Sequence, residues 1–342
     1  MKKLILVTGG TGYIGSHTAV ELIHQGFEVV IIDNLVNSTT GSLDGIEQIT
    51  GLRPRFEQFD LCDKTRLEQF FRQNRDLAAV IHFAAYKAVG ESVEQPLMYY
   101  RNNLMSLINL LELMDQYRVP NMVFSSSCTV YGQPRELPVT EEAPILPAES
   151  PYGNTKQICE EILRDAIRSK PAIRAISLRY FNPIGAHPSA RIGELPQGVP
   201  NNLIPFVTQT AAGVREELKV FGNDYNTPDG SAIRDYINVV DLAIAHVQAI
   251  SRLIAGQNRS ALEFFNLGTG KGYSVLEVLR TFEAVTGVPV KHRIVGRREG
   301  DIEQTWADTT KANRDLGWKA ERSLGDSLLS AWNWEKRLRG IN

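Results

Sequence analysis

The sequence predicts an α/β protein built on a doubly wound, Rossmann-type parallel sheet with a smaller C-terminal domain. Three observations carry this. Over the first 180 residues, short apolar runs alternate with amphipathic stretches. A glycine-rich segment, Thr8-Gly9-Gly10-Thr11-Gly12-Tyr13-Ile14-Gly15, follows the first of those runs directly. After Tyr180 the texture changes, becoming rich in Pro, Gly, Asn and His up to Pro205 and again over residues 222–230.

The predicted strands cover residues 3–8, 28–33, 55–60, 79–84, 122–127 and 175–180. Most are nearly continuous in Val, Ile, Leu, Phe and Ala, as expected of strands covered by helices on both faces. Helical periodicity lies between them at residues 14–25, 64–73, 96–117 and 151–168, and returns at 239–253 and 274–286. Such a series closes into one parallel sheet through right-handed crossovers. We place the domain change near residue 183. Residues 1–182 form the Rossmann domain, some segments of about 235–265 return to it, and residues 183–342 form mainly the second domain.

The helix at 96–117 is apolar on more than one face, through Leu104, Leu107, Ile108, Leu110, Leu111, Leu113 and Met114. Two readings stand: a helix wedged between the sheet and its neighbours, or a subunit interface, here that of a homodimer.

Composition bounds the function. The 342 residues, 43% hydrophobic and 22% charged, suit a globular protein with a large core in one domain or two. A formal net charge of -2 provides no basic field for nucleic acid. Cys62, Cys128 and Cys159 are an odd, sparse set, which argues for a reducing compartment and against a disulfide framework. No Cys/His cluster suggests a metal. The apolar run after Lys2-Lys3 stops at Thr8-Gly9-Gly10, too short for a signal peptide. No run of ~18 apolar residues marks a membrane span. The expectation is a cytoplasmic enzyme without membrane or nucleic-acid partners.

Gly9, Gly12 and Gly15 follow a strand and open a helix, with the spacing of a dinucleotide cradle. Such a cradle needs a tight turn, close backbone approach to a pyrophosphate, and close packing of helix on strand. The helix N terminus then faces the phosphates. Asp33 ends the second strand 18 residues beyond Gly15, placed to accept hydrogen bonds from a ribose. No Arg follows in Asp33-Asn34-Leu35-Val36-Asn37-Ser38, so NAD is expected rather than NADP. Asp60 ends the third strand, either beside the adenine or as a cap.

Ser150-Pro151-Tyr152-Gly153-Asn154-Thr155-Lys156 carries a helix-start signature, Ser at the N-cap and Pro after it. Tyr152 and Lys156 then share one helix face as i and i+4. A phenol near pKa 10 is a poor base at neutral pH. A neighbouring ammonium and a cationic nicotinamide both favour the phenolate. Ser127, at the end of the fifth strand, is placed to hydrogen-bond a reacting hydroxyl.

Together these residues resemble the extended short-chain dehydrogenase/reductase superfamily, and within it the UDP-glucose 4-epimerase family. The resemblance covers nearly the whole chain. Its most specific stretches are residues 9–17, 82–83 with 87–92, 125–132, 180–189, 200–205, 221–225 with 234–236, and 297–301 with 306–308. It implies that Tyr152 is the catalytic base and acid, Lys156 its partner and Ser127 the third member. It implies a cofactor site at Tyr13, Ile14, Asp33, Asn34, Leu35, Asn37, Ser38, Asp60, Leu61, Phe83, Ala84, Ala85, Lys87 and Asn102. Phe181 then lies near the nicotinamide and Thr129 beside the sugar. Asn182, Asn202, Leu218, Arg234, Arg298 and Asp301 fall on positions holding UDP, and Lys87 on one shared with substrate. Guanidinium forks suit a diphosphate.

Three departures stand out. Ala85-Tyr86 replaces the more usual Gly-Leu before Lys87. Cys128 stands where a small Ala is common and has no base partner, so it reads as packing. Thr305 occupies a position where a bulky Tyr lines the sugar pocket of glucose/galactose-restricted members. A smaller residue leaves room for a 2-acetamido group, which implies that UDP-N-acetylglucosamine and UDP-N-acetylgalactosamine are also substrates.

The resemblance implies reversible inversion at C4 of UDP-glucose and UDP-galactose. A hydride is lent to tightly held NAD and returned to the other face of a 4-keto sugar. UDP would be gripped firmly and the sugar loosely enough to swing. Two rivals remain. A nucleotide-sugar 4,6-dehydratase usually carries Asp-Glu after the Thr, where Val130-Tyr131 follow Thr129. A non-catalytic NAD-sensing regulator would have no need of Tyr152, Lys156 and Ser127.

Overall fold

A computed structural model describes residues 2–298 and 302–341. The chain opens with β1 (Leu4–Thr8), α1 (Tyr13–His24), β2 (Glu28–Asp33), α2 (Gly41–Thr50), β3 (Arg55–Gln58), α3 (Lys64–Gln73) and β4 (Leu77–His82). It continues through α4 (Val89–Glu94), α5 (Pro96–Tyr117), β5 (Asn121–Ser125), α6 (Pro151–Ser169) and β6 (Arg174–Tyr180). Then come β7 (Asn182–Ile184), α7 (Leu203–Ala211), β8 (Leu218–Phe221), β9 (Ile233–Arg234), β10 (Tyr236–Asn238), α8 (Val239–Ile254) and β11 (Leu262–Leu267). The last elements are β12 (Tyr273–Ser274), α9 (Val275–Thr286), β13 (His292–Val295), β14 (Gln304–Thr305) and α10 (Leu324–Arg339).

Seven strands form one parallel sheet in the order β11-β6-β5-β4-β1-β2-β3. The order reverses between β1 and β4, and open α/β sheets bind ligands at such a switch point, beyond the strands' carboxyl ends. Alternation along β1 shows how both faces are buried. Ile5 and Val7 join α1 and α8 residues such as Val20, Leu242 and Ile250, while Leu4 and Leu6 join Phe70, Leu107 and Leu163 of α3, α5 and α6. A third core, with Val207, Leu218, Phe282, Leu328 and Trp332, belongs to α7, α9, α10 and the short sheets β8-β13 and β7-β10.

Several expected boundaries move. The third, fourth and fifth strands end at Gln58, His82 and Ser125, two residues earlier than the apolar runs suggest. Asp60, Ala84 and Ser127 therefore sit in the turns beyond the sheet. The backbone explains the last case. The Ser126 N–H bonds to Phe124 O and Leu178 O, and Ser127 caps a 3-10 turn over Cys128–Tyr131. α2 and β11 are among the elements additional to those expected. α2 contains Gly45, where a Cβ would lie 2.5 Å from Ile192 Cγ2. β11 pairs with β6 from Leu262↔Ala175 to Leu267↔Tyr180. In α5, Leu107, Leu110, Leu111, Leu113 and Met114 are buried, whereas Leu97 is 76% exposed and Met105 43% exposed.

Candidate active site

The turn after β1 is built from glycines for contact reasons. Gly9 has φ +69, which an L side chain rarely adopts. A Cβ there would lie 2.7 Å from the Ala84 nitrogen, and one on Gly15 2.4 Å from the Gly9 oxygen. The neighbouring Gly10, which has no role in the spacing, lies under β2: its Cβ would meet Ile31 Cγ2 at 2.7 Å. Gly12 is the N-cap of α1 and offers no side-chain cap, so the helix's first N–H groups remain suited to an anionic ligand.

Asp33 is fixed at the rim of this cradle. Its Oδ1 accepts from Leu35 N (2.9 Å) and Ser38 Oγ (3.1 Å), and its Oδ2 from Thr11 N (3.2 Å). Asn34 donates to Asp60 at 3.0 Å, whose other oxygen accepts from Cys62 N. The segment Phe83–Lys87 is clamped from α5. Asn103 accepts from Tyr86 N (2.9 Å), donates to Tyr86 O (3.1 Å), and donates to Thr155 Oγ1 (3.1 Å) on α6. Asn102 leans on Asn103 Oδ1 at 3.0 Å. Asn103 was not among the expected site residues; its signal is a buried polar residue on a helix rich in apolar ones.

Tyr152 and Lys156 stand on the first turns of α6, which starts as expected: Ser150 accepts from Gly153 N at 3.1 Å and Pro151 follows. The Lys156 ammonium donates to Ser125 O at 2.6 Å. It lies 4.9 Å from the Phe124 ring centroid and 6.0 Å from that of Tyr152. Burial lowers Lys156 to about 8. Burial raises the Tyr152 phenol far above its usual range; Tyr180 adds to this and a hydrogen bond with Ser127 opposes it. The protein surroundings thus oppose the phenolate, and a cation beside the phenol is what a base role demands. Cys128 is pushed up to about 12, chiefly by burial, which disfavours a nucleophilic thiolate. The hydroxyl of Thr129 is buried without a hydrogen-bond partner among the described residues.

The candidate UDP residues come from separate elements. Asn182 opens β7, its N–H donating to Asp235 O at 3.0 Å. Arg234 sits in β9 between Tyr273 of β12 and Thr305 of β14. Residues directly paired across strands project to one face, so these three side chains form a row. Arg298 lies 5.5 Å from the Phe221 ring centroid. Leu218 and Phe181 are buried. Lys87 and Asn202 meet at Glu194: the Asn202 amide donates to Glu194 Oε1 at 2.6 Å, and the Lys87 ammonium reaches the same oxygen at 3.4 Å. Glu194 was not singled out in the sequence, because its partners are 107 and 8 residues away. Asp301 lies outside the described residues.

These parts fit a dinucleotide: a cradle that a single Cβ would fill, and a carboxylate fixed at the end of β2. The comparisons agree. The family model described as GDP-mannose 4,6 dehydratase matches residues 6–329. A UDP-glucose 4-epimerase of Bacillus subtilis (strain 168) is 51% identical over 331 residues, 97% of this chain and 96% of that protein.

The chain belongs to the UDP-glucose 4-epimerase family.

Solved structures extend the likeness. The UDP-glucose 4-epimerase from Bifidobacterium longum, in complex with NAD+ and UDP, gives a TM-score of 0.94 at 45% identity, covering 99% of this chain and all of that one. The enzyme from Stenotrophomonas maltophila, with bound NAD and formylated UDP-arabinopyranose, gives 0.95 at 46% identity, covering 99% and 100%. Within the UDP-glucose 4-epimerase family, the departures of this chain acquire a physical setting. Tyr86 is tolerated because Asn103 holds its backbone and its ring packs 5.6 Å from that of Tyr99. Thr305, 6% exposed, pairs directly with Arg234, so its size bears on the space beside a candidate diphosphate-binding guanidinium.

Proposed function

We infer that this protein interconverts UDP-glucose and UDP-galactose by inversion at C4, using a resident NAD. The observation that carries the reading is the placing of Lys156, bonded to Ser125 O at 2.6 Å, with Tyr152 and Ser127 beyond the carboxyl end of β5. That is the same edge of the sheet as the glycine cradle.

Gly9, Gly12, Tyr13, Ile14 and Gly15 would seat the pyrophosphate, with Asp33–Ser38 on the adenosine ribose and Asp60-Leu61 by the adenine. Phe83–Lys87, Asn102 and Phe181 complete the cofactor site. When bound, NAD would supply an acceptor and donor for the C4 hydride and, as NAD+, the positive charge that the surroundings of the Tyr152 phenol lack. Tyr152 then removes the 4-hydroxyl proton, alongside Ser127, and gives it back. Lys156 holds the cofactor ribose and keeps a cation near the phenol. Asn182, Asn202, Leu218, Arg234, Arg298 and Asp301 grip UDP, so the remote nucleotide retains the intermediate while the sugar turns. Thr129, with its orphan hydroxyl, offers a hydrogen bond to the sugar.

We extend the substrate range to UDP-N-acetylglucosamine and UDP-N-acetylgalactosamine, because Thr305 is small at a position in register with Arg234. We assign a homodimer to the face of α4 and α5, where Val93 (61% exposed), Leu97 and Met105 leave apolar surface uncovered. A cytoplasmic setting suits the three unpaired cysteines, and among the described residues no helix is long and apolar enough to cross a membrane. We divide the chain into residues 1–182 and 183–342, with about 235–265 returning to the first; the pairing of β11 with β6 supports that division.

The test is conversion of UDP-galactose by purified protein with no added NAD. Turnover supports the reading. Absence of turnover in protein that carries NAD would favour the non-catalytic regulator, and loss of water from the sugar the dehydratase.

A further inference from the structure

Next to Ser127, at the end of β5, lies a buried ion pair that the proposed chemistry does not use. Glu160 is on α6, four residues beyond Lys156 and eight beyond Tyr152, hence on the same helix face. Its Oε1 accepts from Ser126 Oγ (2.7 Å), Ser177 Oγ (2.9 Å) and Arg179 Nε (3.0 Å), and its Oε2 from Arg179 Nη2 (2.7 Å). Arg179 reaches further, donating from Nη1 to the Tyr131 hydroxyl (3.0 Å), which in turn donates to Asn266 (2.6 Å). Both charged side chains are 4% exposed.

A buried ion pair is weak as a source of stability, since well-packed apolar residues of similar volume often do as well. What this pair supplies is a fixed reference between three elements: α6, β6 and the end of β5. Successive residues at that end are held differently. Ser125 gives its carbonyl to Lys156, Ser126 gives its hydroxyl to Glu160, and Ser127 is hydrogen-bonded with Tyr152.

We propose that Glu160 is a positioning residue: anchored by Arg179, its carboxylate holds Ser126 and thereby sets where Ser127 stands relative to Tyr152 and Lys156. This rests on the reading of those three residues as the catalytic set. Small displacements at such a site are costly to rate without being costly to binding.

The experiment compares Ser126→Ala with Ser177→Ala in the holoenzyme. Each variant deletes one fully buried hydroxyl donor to the same Glu160 oxygen, so a merely structural pair treats them alike. Positioning treats them differently. Ser126→Ala is expected to lower kcat about tenfold or more, with KM for UDP-galactose within about twofold, while Ser177→Ala stays within about twofold of wild type in both. Thermal unfolding of both variants checks that their stability losses are similar. Equal kcat values in the two variants, or a change confined to KM, overturn the proposal. Tyr152→Phe is run beside them: if that variant stays active, the catalytic assignment itself fails, an outcome distinct from an inert Ser126→Ala.

Discussion

The Lys156 ammonium donates to the carbonyl of Ser125 at 2.6 Å, two residues before Ser127, so one contact ties the helix that carries Tyr152 to the strand end that carries Ser127. It also settles where the lysine points. Its head is bound to backbone, 4.9 Å from the Phe124 ring centroid and 6.0 Å from that of Tyr152. Its influence on Tyr152 is that of a nearby fixed charge.

Tyr152→Phe removes the proton-transfer group while keeping the ring. Turnover of UDP-galactose should fall by about 10²–10⁴-fold, while bound NAD and affinity for the UDP-sugar stay close to wild type. Steady-state kinetics and cofactor absorbance after denaturation check both halves. A variant with near-normal kcat removes Tyr152 from the mechanism.

The lysine sets a pH limit. Burial lowers its ammonium from 10.5 to about 8. Below pH 8 the side chain is charged and supports the phenolate; above it the charge goes and the support with it. Activity should therefore decline on the alkaline side of about pH 8. Lys156→Met should lower kcat, weaken NAD retention and abolish that limb. A wild-type profile flat up to pH 10 contradicts the assignment.

The cradle can be tested by volume alone. In Gly15→Ala the new methyl would lie 2.4 Å from the Gly9 oxygen and 2.8 Å from Gly10 Cα, both backbone atoms with little room to yield. Overpacking of this kind costs about 1–3 kcal/mol. The purified variant should carry well under half the NAD of wild type, measured by absorbance after denaturation. Gly26→Ala is the control. Its site is open, although its φ of +82 carries some backbone strain, and it should keep its cofactor.

Much of this architecture was legible because its signals are local. Six of the seven strands of the parallel sheet, β1–β6, were read from the sequence, and the start of α6 was visible in Ser150-Pro151. What the sequence hid depends on partners far along the chain. Gly10 is glycine because Ile31 lies over it. Asn103 matters because it reaches both Tyr86 and Thr155. Glu160 matters because Ser126, Ser177 and Arg179 converge on it. The end of β5 lies two residues earlier than the sequence suggests: Ser126 and Ser127 look like continuing strand, but the Ser126 N–H also bonds back to Phe124 O and Ser127 caps the 3-10 turn. Periodicity reports which face of an element is buried; it carries no information on which distant backbone closes the turn beyond it.

Substrate range turns on Thr305, in register with Arg234 across β14 and β9. A 2-acetamido group adds several heavy atoms to the sugar, and a pocket wall either leaves that space or does not. Wild-type protein should turn over UDP-N-acetylgalactosamine at a rate above about a hundredth of that for UDP-galactose; a lower ratio refutes the wider range. Thr305→Tyr fills the space with a phenol. It should lower turnover of the N-acetylated sugar by about tenfold or more, a steric exclusion comparable to the 1–3 kcal/mol that one misplaced group costs in a shaped pocket, and leave UDP-galactose within about threefold. If both substrates fall together, the new ring has disturbed Arg234 or the strand pairing, and Thr305 is not the discriminating wall. If neither falls, the N-acetyl group lies elsewhere and another residue sets the pocket's size.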